Sequence, residues 1–228
     1  MITTAVLCPH PPLLLRELGG VRDPVEALRT GAANAVRAAT ADAARVVVVG
    51  GHDVTGSWDA ALPVDVRRFG TTHAPPPRPA LPLSLGVATR LLDTAGWTGA
   101  VGMSTVAWHE TGETVDALAR ELADAGDAVL LVLGDGSTRR GDKAPGYLDE
   151  RAFGFDDRVA DALASGDAAT LAGLDAGLAE ELMVLGDAAF RLLGAVGRVQ
   201  EGPEAATLTC REDPFGVSYF VATWTFRP

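Results

Sequence analysis

Apolar runs bounded by glycine or proline recur along the chain, and the stretches between them carry apolar residues every three or four positions. Thr3 to Cys8 (TTAVLC) is a short apolar run stopped by Pro9 and reads as a central strand. In the segment that follows, Val25, Leu28, Ala32, Ala35, Val36 and Ala39 keep a helical period. Asp23 is its expected cap, with Pro24 at the first helical position and Glu26 in the first turn. RVVVVGG, Arg45 to Gly51, then places four valines before two glycines, the pattern of a parallel strand buried on both faces. Strand, helix and strand make the crossover unit that parallel pairing requires.

The same alternation continues. Leu62 to Gly70 (LPVDVRRFG) alternates in part and suggests a further strand, while APPPRPALP is an extended loop because adjacent prolines favour open backbone. Leu83 to Ala95 predicts a helix, Ala100 to Ala107 a strand, Thr111 to Ala125 a helix and Ala128 to Gly134 an all-apolar strand. Gly136 to Gly146 is polar and without period, hence a loop. Helices are expected over Asp156 to Leu163 and Asp175 to Leu193. AVGRVQ, AATLTCRED and GVSYFVATWTF read as terminal strands that extend the sheet in antiparallel fashion. The expected fold is one α/β domain over residues 1–228, with a mostly parallel central sheet, mixed edges and helices on both faces.

Composition narrows the partners. With 228 residues, 47% of them hydrophobic and 21% charged, the chain can bury a full core. A formal net charge of −11 argues against nucleic acid and against an anionic membrane surface, since both need a basic footprint. No apolar segment approaches the roughly 20 residues that span a bilayer. Cys8 and Cys210 are too few for a disulfide framework and the N-terminal residues do not read as a secretory signal, so a cytoplasmic setting is expected. Cys8, inside an apolar strand, is expected to pack as an inert buried thiol.

Polar chemistry collects where ligand sites of open α/β sheets lie, beyond the carboxyl ends of the strands. Strand ends carry Pro9-His10-Pro11, Gly50-Gly51-His52-Asp53, Trp108-His109-Glu110 and Gly134-Asp135-Gly136-Ser137. Three of the four histidines follow strands; His73 falls in the proline-flanked loop and is set aside. Imidazole with carboxylate suits iron, zinc or manganese, and two His with one carboxylate leave positions open on non-haem Fe(II). A loop histidine bonded to backbone is the plainer alternative for each. Gly50-Gly51 reads as a tight turn and not a dinucleotide fingerprint, and GDGSTRRGDK lacks the spacing of a P-loop. Ser137 and Thr138 either contact a substrate or are solvated loop residues. Arg139, Arg140 and Lys143 form a basic cluster able to attract a carboxylate or phosphate. No G-x-S-x-G nucleophile elbow occurs.

Three stretches, CPHPPLLLRELG, VVVVGGHD and GLAEELMVLGDAAFRLLGAV, resemble the B-type members of the class III extradiol ring-cleavage dioxygenase superfamily and their Memo-like relatives. The likeness extends over most of the chain, and GDGSTRRGDKAPGYLDERAFGFDDRVADAL is similar to an actinobacterial branch of that type. The resemblance implies Fe(II), with Zn or Mn as substitutes, held by His10, His52 and Glu181, with the adjacent Glu180 as the other candidate. Neighbours on a helix point about 100° apart, so only one of the two should face the site. It further implies a substrate-side role for His109, a small aromatic substrate, and assembly as a homodimer or with a separate small subunit; Ser137, Thr138 and Arg139 are candidate substrate contacts on the loop's own chemistry. Where active members carry an acid/base histidine, this chain has Asp135, a weaker base unless burial raises its pKa. Two functions follow: Fe(II)-dependent extradiol cleavage of a catechol with dioxygen, or a divergent or inactive metal-binding or interaction protein on the same fold.

Overall fold

The structure is a computed structural model and describes residues 1–20, 23–70 and 78–227. Among the described residues seven strands form one sheet: β1 (Ile2–Cys8), β2 (Arg45–His52), β3 (Gly56–Trp58), β4 (Ala100–Ala107), β5 (Ala128–Leu133), β6 (Ala205–Glu212) and β7 (Tyr219–Thr225). Their spatial order is β3-β4-β2-β5-β1-β7-β6. The four central strands β4, β2, β5 and β1 are parallel, whereas β3 at one edge and the β7–β6 pair at the other run antiparallel to their neighbours. The chain is therefore a single α/β domain, mostly parallel at its centre, with mixed edges.

Burial follows the pleat. All six residues of β5 are buried, and alternate side chains enter two separate cores. Val129, Leu131 and Leu133 meet Val6, Cys8, Val46 and Val48 under α1 (Glu26–Thr40) and α2 (Leu83–Ala95). Leu130 and Val132 join Ala5, Leu7 and Val49 on the opposite face, covered by α3 (Gly112–Asp124), α4 (Arg151–Ser165), α5 (Ala168–Ala172), α6 (Ala176–Glu181) and α7 (Asp187–Val199). A strand with apolar side chains on both faces can sit only where both faces are covered. Cys8 is fully buried, which pushes its thiol far up and makes it inert. Beyond β1, the aromatic strand β7 buries Tyr219, Phe220 and Trp224, with the Trp224 indole donating to the Leu163 carbonyl at 2.9 Å.

Four expectations need correction. Asp23 does not cap α1: the cap position is Val25, and Asp23 instead accepts from the Val25 amide and pairs with Arg29. Leu62 to Gly70 is not a strand but a single bridge at Val64 and a short 3-10 turn over Arg67–Phe69, and the edge strand is β3. AVGRVQ is no strand, because Ala195 to Val199 complete α7. The helix expected over Asp175 to Leu193 is broken between α6 and α7. Met183 takes a left-handed backbone (φ 52°), Ser137 Oγ donates to the Leu182 carbonyl at 2.7 Å, and Val184 bridges Ser137. Tertiary hydrogen bonds there replace the helical ladder, and the chain re-enters a helix only at Asp187.

Candidate functional site

At the carboxyl end of the sheet, β1 and β5 are neighbours, so the residues that follow them meet. The His10 amide donates to Asp135 Oδ1 at 2.8 Å, and the His10 ring turns Nδ1 toward the same oxygen at 3.6 Å. Both residues are only 3% exposed, and Nδ1 has no hydrogen-bond partner among the described residues. Burial pushes the Asp135 carboxyl up, an effect that the imidazole opposes. Pro9 and Pro11 restrict the backbone on either side of His10.

Trp108 lies alongside His10. Its ring lies nearly parallel to the His10 imidazole (16° between planes, 6.4 Å between centroids), and its indole N–H donates to Asp53 at 3.1 Å. The close approach depends on Gly51: a β-carbon there would lie 1.9 Å from the indole ring. Gly50 and Gly51 are thus not a tight turn. They precede the last residue of β2 and are kept small so that side chains can cross the strand. Gly186 plays a similar part, since a β-carbon on it would meet the Asp135 carbonyl at 2.6 Å. Tyr219, at the start of β7, completes the surroundings. It is 3% exposed, and burial together with the nearby Asp135 carboxylate pushes its phenol up.

His52 does not join them. Side chains alternate along β2, so His52 lies on the α2 face with Gly50, whose absent side chain leaves room for Ser84, while Gly51 and Trp108 lie on the other. The His52 ring instead sets its edge to Trp58 at 5.3 Å and borders a cavity of about 350 Å³ with Asp65, Arg68 and Leu81. Glu181, the expected third ligand, is an exposed residue at the end of α6 whose carboxylate accepts from Arg151 at 2.7 Å. The alternative, Glu180, faces His109, with 3.9 Å between Oε2 and Nδ1, and both are exposed. Among the described residues no three His, Cys, Asp or Glu side chains are gathered to hold a metal ion. His10, His52 and Glu181 do not fit the metal that the resemblance implies.

The GDGSTRR loop is held by structural bonds, and Ser137 and Thr138 are not the solvated loop residues that one reading of the polar run expected. Ser137 is fully buried. Its amide donates to Asp156 Oδ1 at 3.0 Å and its hydroxyl accepts from the Arg139 amide at 3.1 Å, besides donating to Leu182. Thr138 is also buried, and Arg139 reaches the Glu181 carbonyl at 2.8 Å. Arg140 is no free anion receiver: it pairs with Asp156 and Asp213 and lies over the Phe153 ring at 4.5 Å. Burial raises Asp156 to about 6 despite the Ser137 amide and Arg140. His73 lies outside the described residues.

A second cavity of about 230 Å³ is bordered by Trp108, between the β4–α3 turn and the α6–α7 break. Trp108, Ala176, Met183, Val184 and Leu185 line it together with His109, Glu180 and Asp187. Asp187 is 5% exposed. Its Oδ2 accepts from Arg191 at 2.9 Å, its Oδ1 has no partner among the described residues, and burial pushes its carboxyl up against the effect of Arg191. Sequence reasoning assigned no place in the site to Trp108, Tyr219 or Asp187; Tyr219 counted only among the terminal aromatics that supply apolar area. Tyr219 could have been found from the expected antiparallel pairing, which brings the start of β7 to the end of β1.

No protein-family model matches the chain, and no curated protein does. Among solved structures the fold is similar to the crystal structure of uncharacterized protein JW3007 from Escherichia coli K12. The TM-score is 0.54 at 16% identity, covering 97% of this chain and 99% of that one. At that identity the likeness concerns the fold alone.

Proposed function

We propose that the protein is a divergent member of the extradiol scaffold in which His10 and Asp135 form a proton-transfer centre for a small phenolic aromatic molecule. The observation that carries this reading is the buried His10 ring, its unpartnered Nδ1 facing Asp135 and Trp108 alongside it. An Asp–His pair of this kind orients the imidazole and stabilises its protonated form, leaving Nε2 as the base. The substrate hydroxyl gives its proton to Nε2. An O–H bond breaks, an N–H bond forms, and phenolate faces imidazolium. The 3.6 Å separation from Asp135 shortens to hydrogen-bond distance as the charge develops, as catalytic contacts commonly do on ligand binding. Trp108 supplies an aromatic face against which a ring can stack.

The competing reading is Fe(II)-dependent ring cleavage of a catechol, with Zn or Mn as other metals, supported by the resemblance of His10, His52 and Glu181 to the family's ligands. One set of experiments separates the two. Phenol and catechol are titrated into the apoprotein while phenolate absorbance and heat are followed, with wild type giving saturable binding and His10→Ala none. The protein is then reconstituted anaerobically with Fe(II) and supplied with catechols and dioxygen. Stoichiometric iron with oxygen uptake and a ring-opened product overturns the divergent reading. Absence of phenolate formation in the apoprotein overturns the proton-transfer centre.

A further inference from the structure

The cavity that His52 borders, on the α2 side of the sheet, gathers positive charge in an otherwise acidic protein. It measures about 350 Å³, within the roughly 300–1,000 Å³ of small-molecule pockets, and its lining includes His52, Trp58, Asp65, Arg68, Arg78 and Leu81. Arg29, Arg140, Arg151 and Arg191 each pair with a carboxylate. Arg68 and Arg78 do not. Arg68 lies over the Phe69 ring at 5.4 Å, and neither side chain has a hydrogen bond or ion pair among the described residues. Asp65 shares the lining without pairing with them: its Oδ1 accepts from the backbone amides of Arg67 and Arg68 at 3.1 and 3.2 Å. Two guanidiniums against one carboxylate leave the lining with a net positive charge while His52 is neutral. The start of α2 adds to that field, since its cap residue Pro82 also lines the cavity and no side chain caps the helix. Trp58, its indole N–H donating to Thr105 Oγ1 at 2.9 Å, and the His52 ring set edge-on to it supply an aromatic wall.

We infer that this cavity binds a small aromatic carboxylate, its anionic head held by Arg68 and Arg78 and its ring against Trp58 and His52. A guanidinium presents a planar fork of N–H donors that matches a carboxylate, and neither fork here is spent on a protein acceptor among the described residues. The Asp65 charge in the lining decides between anions: it repels a doubly charged phosphate ester more than a singly charged carboxylate. Neutral imidazole at His52 brings one further N–H donor. The proposal goes beyond the proton-transfer reading and does not rest on it, since neither His10 nor Asp135 lines this cavity.

Calorimetric titration of the full chain with benzoate, benzamide and phenyl phosphate tests the assignment. Benzoate is expected to bind at least about tenfold more tightly than benzamide, the change a charged hydrogen bond produces, and more tightly than phenyl phosphate. Arg68→Gln and Arg78→Gln each weaken benzoate by about tenfold, and the double variant abolishes saturable binding. Both side chains are exposed, so the unfolding transitions of these variants should match wild type. Arg120→Gln removes an exposed arginine of α3 and leaves benzoate affinity unchanged, which separates the cavity from a general loss of charge. His10→Ala leaves it unchanged as well. Equal affinity for benzoate and benzamide, no binding of benzoate, tighter binding of phenyl phosphate, unchanged affinity in the double variant, or an equal loss in Arg120→Gln or His10→Ala overturns the proposal.

Discussion

His10 follows β1 and His52 ends β2, two parallel core strands of the same sheet, yet they have opposite surroundings. His10 is buried, faces a carboxylate and lies alongside an indole. His52 is half-buried, touches an indole by its edge, and borders an open cavity on the other face of the sheet. The strand-end rule places both at the site-bearing edge but does not say on which face each side chain lies. That depends on the last few residues of pleat. In β2 the parity puts Gly51 toward Trp108 and sends His52 to the α2 side.

The most direct way to break this comparison is to truncate each imidazole. His10→Ala should lower phenolate formation by about 10²–10⁴-fold, the usual worth of a positioned acid or base, whereas His52→Ala should change it less than about threefold. Similar losses in both variants would mean that the two rings serve one centre.

The loop that carries Asp135 is tested through its buried anchor. Asp156, raised to about 6 in the fold, holds more protons there than in the unfolded chain. Stability from this group is therefore full below pH ~3.8 and lost as pH rises through about 6, amounting to about 3 kcal/mol at roughly 1.4 kcal/mol per pKa unit. Asp156→Asn, which still accepts from the Ser137 amide, should gain on wild type between pH 4 and pH 7 in urea unfolding. A gap that is constant over that range would remove Asp156 as the titrating anchor.

A smaller effect is expected beneath the indole. Gly51→Ala places a methyl where the Trp108 ring lies and should cost about 1–3 kcal/mol, the range for overpacking. In a Trp108→Ala background that penalty should vanish. If it persists, the glycine serves the strand itself and not the crossing side chain.

Much of the fold was legible because both-face burial leaves a strong mark: VVVV and AVLLVL could only be central strands, and the helix of Leu83 to Ala95 has the bounds that its period implies. The broken helix was not legible. Apolar spacing continues through Leu182, Val184 and Leu185, and the break is imposed by Ser137, 45 residues away in sequence, taking the Leu182 carbonyl. The candidate site was half legible. His10 and Asp135 were both selected as strand-end residues, and the adjacency of β1 and β5 makes them a pair. Glu181 was chosen over Glu180 by likeness of the surrounding stretch, but the helix turns it toward Arg151, while Glu180 faces His109.

By itself the sequence determined the α/β class, the parallel core, and which strand ends carry imidazole and carboxylate, because local period and burial pattern encode those directly. Tertiary structure alone decided that β5 lies between β1 and β2, that His52 faces away from Trp108, that Ser137 and Arg140 are consumed by structural bonds, and that one oxygen of Asp187 is left without a donor among the described residues. The physical reason is that side-chain convergence depends on strand order, pleat parity and competition among distant hydrogen-bond partners, none of which is a property of neighbouring residues.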